Sequence, residues 1–117
     1  MNPQAFNKYC ASFPHSTYVV QWGGAHVWKI GGKVFAIGGW LDGDVLGVTF
    51  KCSPLSYQLL KEQKGCRPAP YLASRGLKWI QRTSAETMDD KSLKLYLKES
   101  YRLVLSGLSK KRQMELQ

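Results

Sequence analysis

Few residues in this chain could do covalent or metal chemistry: His15, His26 and the cysteines Cys10, Cys52 and Cys66. The cysteines are odd in number and widely spaced, with no C-x-x-C pair, so neither a disulfide framework nor a zinc site is expected. His15 follows Pro14 in a connection. His26 falls on the projected core face of a strand, where a hydrogen-bonded structural role is the usual one. Asp42 belongs to a turn, and Asp89 and Asp90 to a helix start, so no carboxylate pair is nominated for acid–base work. Lys29, Gly31 and Gly32 lack the G-x-x-x-x-G-K-[ST] spacing of a phosphate loop, and this glycine pair joins two strands instead of opening a helix. No G-x-S-x-G motif occurs. The expectation is a protein that is not an enzyme, with no catalytic residues, no metal and no cofactor.

Binding chemistry is better represented. Lysine and arginine number 17 against 8 acids, a formal charge of +9. The excess is concentrated: residues 51–82 hold seven cations against Glu62 alone. Such asymmetry points to a polyanionic partner. Lys29, Lys33, Lys51, Arg75, Lys78 and Arg82 are the candidates for phosphate contact. Trp22 and Trp40 adjoin glycine turns and are candidate stacking platforms. Trp28 and Trp79 read as core by alternation. A second reading is a small-molecule or protein-binding module, with an anionic ligand in a cleft near Arg67, Tyr71, Arg75 and Trp79. A third assigns the basic tail Lys110-Lys111-Arg112 to contact with another protein.

These residues must be positioned by elements the sequence punctuates clearly. Asn2-Pro3 and Ser53-Pro54 each join an N-cap to a proline at the first helical position. Between them, β-rich runs are separated by Gly23-Gly24, Gly31-Gly32 and Asp42-Gly43, the signature of two-residue hairpin turns in a four-strand antiparallel meander. That register puts His26, Trp28, Ile30, Phe35, Ile37, Val48 and Phe50 on a core face. Val27, Lys29, Val34, Ala36, Thr49 and Lys51 fall on an outer face, with Lys29 and Lys51 flanking Val34. A bulge at Gly38-Gly39 would invert this assignment. After the second helix, ended by Gly65, come an extended R-P-A-P connector and a short strand, LKWIQ, with Trp79 turned inward. The last helix starts at Thr87 or a neighbouring Asp, carries a stripe from Leu93 to Leu108, and is closed by Gly107. The architecture is α+β: an antiparallel sheet with helices packed on one face, in the order helix, four-strand meander, helix, short strand, helix. One domain spans residues 1–109, and residues 110–117 form a basic tail expected to fray. No window approaches the about 18 apolar residues of a membrane span, and MNPQAFNKYC lacks the features of a signal peptide, so a cytoplasmic, monomeric protein is expected.

The runs GAHVWKIGGKVFAI, VTFKCSP, RPAPYLASRGLKWIQ and KESYRLVLSGLSKK together resemble the MmcQ/YjbR-like proteins, small bacterial proteins with a CyaY-like (frataxin-type) fold. The resemblance covers nearly the whole chain, to about Leu108. It implies the same order of elements and a DNA-binding role through a double-wing motif. It matches a lysine–Gly-Gly–lysine hairpin to Lys29, Gly31, Gly32 and Lys33, a strand-ending K-C-[SD]-P to Lys51, Cys52, Ser53 and Pro54, and a basic-aromatic segment to Arg75, Lys78 and Trp79. Iron binding, suggested by the frataxin-type fold, is not expected, because the first helix NPQAFNKYCASF carries no acidic ridge to supply oxygen ligands. DNA is the expected partner, bound through phosphates by a basic sheet face and its hairpin wings.

Overall fold

The structure is a computed structural model that describes residues 1–41, 45–72 and 76–116. The predicted caps form. Asn2 Oδ1 accepts from Ala5 N at 2.7 Å and starts helix α1 (Pro3–Ala11). Ser53 Oγ accepts from Ser56 N at 3.1 Å and starts α2 (Pro54–Leu60), while Asp89 Oδ1 accepts from Ser92 N at 2.8 Å and starts α3 (Asp90–Ser106). Each cap satisfies a backbone donor that the first helical turn leaves without a partner. Gly107 caps the end of α3. Helix α2 stops at Leu60, so Gly65 serves instead as a left-handed turn residue leading into the next strand.

Six strands form one antiparallel sheet: β1 (Thr17–Gln21), β2 (Ala25–Ile30), β3 (Lys33–Gly38), β4 (Val48–Lys51), β5 (Cys66–Pro68) and β6 (Trp79–Arg82), in the order β1-β2-β3-β4-β6-β5. The expected meander is present, and the predicted short strand is β6. The connector R-P-A-P, however, contributes an edge strand, β5, whose partner is β6. Three residues ending in a proline give little strand signal, and an edge position tolerates the missing donor of Pro68. The tail also departs from expectation. Residues Lys110–Glu115 form a short helix α4, with Ser109 as its cap, and Leu116 packs against the core.

Within the β2–β3–β4 meander the register departs from the predicted one through a one-residue insertion in β3. The insertion also sets Ala36 opposite Phe50 and Ile37 opposite Thr49 on β4, where Phe35 opposite Phe50 and Ile37 opposite Val48 were expected. Ile30 faces Lys33 across the Gly31-Gly32 turn as expected, but Trp28 faces Ala36, so Phe35 is an extra residue in β3. This bulge lies before Gly38-Gly39 and exchanges two side chains. Ala36 joins the helix-covered face with Phe35, and Ile37 moves to the other. The helix-covered face carries Trp28, Ile30, Phe35, Val48, Phe50 and Ile80 against Phe6, Leu60, Leu93 and Leu97 of the helices. The opposite face has a smaller cluster, Ala25, Val27 and Ile37, covered by Trp40 and Leu72 from two connections. Alternation about Ile80 puts Trp79 on that opposite face, level with Lys51. It is buried there but is not part of the main core.

Where the β3–β4 ladder ends, beyond the Ala36–Phe50 pair, the fully buried Ser100 of α3 takes over. Its hydroxyl donates to Phe35 O at 2.6 Å and accepts from Lys51 N at 2.9 Å. Buried backbone groups need such partners, because leaving them unpaired costs the full desolvation of each. Replacing Ser100 with Ala is expected to lower the unfolding free energy by about 2–3 kcal/mol, read as a lower urea midpoint at unchanged slope.

Candidate functional site

The predicted cations do not form one continuous patch. Lys29 pairs with Val34 across β2 and β3 as expected. Lys51 instead stands level with Phe35 and not opposite Val34, although Val34 and Lys51 line a common groove with Lys33. Lys29 and Lys51 project from the helix-free face, and Lys33 is exposed at the β2–β3 turn. The groove measures about 310 Å³ and reaches Gly107 and Leu108 at the end of α3. Lys78 leans the other way, its Nζ 4.9 Å from the Tyr57 ring centroid on α2, a cation–π contact. Arg75 lies outside the described residues, as does the predicted Asp42-Gly43 turn.

Arg82 is a correction. It is buried: its guanidinium donates to Asp90 Oδ1 at 2.9 Å and its Nε donates to Ser84 O at 3.2 Å. As the last residue of β6 it falls on the helix-covered face, opposite Val48, where it ties the sheet to the start of α3. A strand-end arginine with no acid beside it in sequence looks free for phosphate. Its partner arrives only through tertiary folding.

The other end of the helix-free face holds a cleft of about 600 Å³ whose walls include Trp22, Trp40, Tyr71 and Arg67. Trp22 and Trp40 have ring centroids 5.6 Å apart at 39°, and Trp40 meets Tyr71 edge-on at 5.6 Å and 81°. A second hollow of about 480 Å³ is lined by the same three rings and Leu72. The two tryptophans proposed for stacking are thus brought together, and Tyr71 and Arg67 from the alternative reading join them. Trp79 of that reading lies elsewhere, beside Lys51.

The cleft is built on strained backbone. Trp22, Trp40 and Tyr71 have φ of 52°, 60° and 67°, and among the described residues His15 is the other non-glycine residue at positive φ. Each such residue costs about 1–3 kcal/mol. Trp22 reaches this conformation because Gln21 pairs with Ala25, so the first turn is a three-residue loop, Trp22-Gly23-Gly24, and not the expected two-residue one. Beneath the rings lies Gln81, fully buried, whose Nε2 donates to Gly39 O at 3.2 Å and Trp40 O at 3.1 Å. Its Oε1 accepts from Arg67 Nε at 2.7 Å, which fixes the base of the guanidinium. Gly47 makes this crossing possible, since a Cβ there would lie 2.8 Å from Gln81 Nε2 and 2.7 Å from Gly39 O.

The three cysteines are buried, and His26 is held by hydrogen-bond partners. Burial raises the Cys10 thiol far above its ordinary value, the Cys52 thiol to about 11, and the Cys66 thiol despite the opposing charge of Arg82. All three stay protonated near neutral pH and are poor nucleophiles. His26 Nδ1 lies 2.8 Å from the Tyr18 hydroxyl and 3.4 Å from Asn7 Nδ2. Trp28 Nε1 donates to Asn7 Oδ1 at 2.9 Å, which turns the amide nitrogen toward the imidazole and makes Nδ1 the acceptor. Among the described residues, no three His, Cys, Asp or Glu side chains converge as a metal site, and no helix is long and apolar enough to cross a membrane.

An α+β domain with helices on one sheet face and a basic, aromatic opposite face can be placed among known proteins. The YjbR family model matches residues 11–103, and the chain belongs to that family. Its structure is similar to that of a Deinococcus radiodurans protein described as a DUF419 domain, with a TM-score of 0.83 at 22% identity over 98% of this chain and 87% of that one. A Pseudomonas syringae protein is similar with a TM-score of 0.70 at 19% identity, over 89% of this chain and 99% of the other. At these identities the likeness shows the fold. No curated protein matches the chain.

The Arg82–Asp90 pair yields a pH prediction. The hydrogen bond from Arg82 holds the Asp90 carboxyl below its ordinary value, partial burial opposes this, and the amino terminus of Met1, 3.1 Å away, adds to it. A carboxyl with a lowered folded pKa stabilises the protein above the unfolded value of about 3.9. That stability is lost as pH falls through the lower folded value. Asp90→Asn should cost about 1 kcal/mol at neutral pH, allowing for screening at a half-exposed carboxylate. It should also make the loss of thermal stability below about pH 4 shallower than in the parent protein.

Proposed function

We propose that this protein is a non-catalytic DNA-binding protein that holds phosphates on the basic end of its helix-free sheet face. One arrangement carries the reading. Lys29, Lys33 and Lys51 gather around Val34 and the β2–β3 hairpin, and none is paired with a carboxylate among the described residues. Unpaired lysines on an exposed face supply affinity for phosphates without reading sequence. The hairpin presents Lys33 at its tip, which suits the wing of the double-wing motif that the resemblance implies, on a CyaY-like fold. The net charge of +9 favours encounter with a polyanion. A cytoplasmic monomer is the form in which this surface would act, with no metal or cofactor required.

Arg82 drops out of the contact set, and Lys78 leans on Tyr57, so three phosphates are the expected core of the footprint. Titration of a fluorescently labelled duplex should give a log–log salt slope of about −3. Charge reversal at Lys29 and Lys51 together should weaken binding more than about ten-fold at low salt without changing the urea midpoint. Absence of any association at low salt would dispose of the reading.

A further inference from the structure

From the aromatic cleft we infer a second binding site, one that takes the base and phosphate of an unpaired nucleotide, free or within a single strand. The inference deepens the DNA-binding reading by naming a substrate class, but it stands on other residues. Trp22 is 53% exposed and Tyr71 is 74% exposed, so large rings are held in water on backbone that glycine would occupy without strain. Trp22 contacts Trp40, and Trp40 contacts Tyr71, so no slot opens between them. A ligand must lie flat against an outer ring face. The cleft volume falls within the range of small-ligand sites.

Arg67 decides the chemistry of that ligand. Its Nε is pinned by buried Gln81, so the guanidinium is held at the cleft wall, and it has no carboxylate partner among the described residues. An oriented guanidinium matches a phosphate. The same charge disfavours the ammonium ligands that aromatic cages otherwise collect. A flat ring joined to an anion is the description of a nucleotide. Stacking needs a free base face, so the base must be unpaired. Gly23 and Gly24 leave the neighbouring rim bare, with nothing near the positions their side chains would take. Trp40 packs on Ala25 and Val27 of the same face that carries Lys29. Strand β2 spans about 13 Å from Ala25 to Lys29, so a single strand stacked in the cleft can lay its next phosphates toward the lysines.

The test uses the intact protein, tryptophan fluorescence, and three probes: adenosine monophosphate, a short labelled oligothymidine and a duplex of equal length. The expected result is quenching by the monophosphate and tighter binding of the single strand than of the duplex. Trp22→Gly and Tyr71→Gly relieve backbone strain and should stay folded, as judged by the urea midpoint, yet each should lose about ten-fold in single-strand affinity. Charge reversal at Lys29 and Lys51 should weaken duplex binding more than about ten-fold while leaving monophosphate quenching intact, which separates this site from the sheet lysines. Quenching by the monophosphate without tighter single-strand binding would also support the site and assign it to a free nucleotide. Wild-type single-strand affinity in both glycine variants, together with no quenching by the monophosphate, would overturn it. If duplex binding survived that outcome, the sheet reading would stand alone.

Discussion

Between β3 and β4 the ladder ends at the Ala36–Phe50 pair, beside the residue inserted in β3, and the Ser100 hydroxyl joins the two strands there by donating to Phe35 O and accepting from Lys51 N. The helix layer thereby reaches into the sheet and fixes where its parity changes. A sheet has a period of two, so one inserted residue reassigns the side chains that follow it in β3. Ile37 goes to the helix-free face, where it supports Trp40, and Phe35 and Ala36 both go to the main core. Lys51 is held by its own backbone at the same point, so the position of a candidate phosphate ligand depends on a serine from α3.

Much of the fold was legible because its signals are local. Asn2-Pro3, Ser53-Pro54 and Gly31-Gly32 each determine a cap or turn with their own atoms, and each formed as read. What was illegible depends on partners far along the chain. The bulge answers to Ser100, 65 residues from Phe35. Strand β5 is too short and too rich in proline to announce itself, and Arg82 finds Asp90 only after α3 docks. The site divides the same way. Glycine neighbours marked Trp22 and Trp40 as exposed candidates, but their meeting with Tyr71 and Arg67 is organised by Gln81, an ordinary polar residue in sequence and a fully buried one in the fold.

The helix-free face has two chemically different ends, lysines around the β2–β3 turn and rings around the connections that follow β1, β3 and β5. Helix α4 lies against the main core through Leu116. A Cβ on Gly31 would meet the side chains of Leu108 and Leu116, so the tail is folded against the hairpin turn. Lys110 and Lys111 are therefore carried on a folded helix and not on a diffuse tail, while Arg112 is paired with Glu115 at 2.9 Å.

The left-handed backbone at Trp22, Trp40 and Tyr71 sets durability against the aromatic cleft. Glycine at Trp22 or Tyr71, the two exposed members, would ease the main chain and erase a ring, so a lineage or a designer rewarding heat resistance alone would be drawn toward an emptier surface. At these positions the most stable version of the molecule is also the one with the least to offer a ligand.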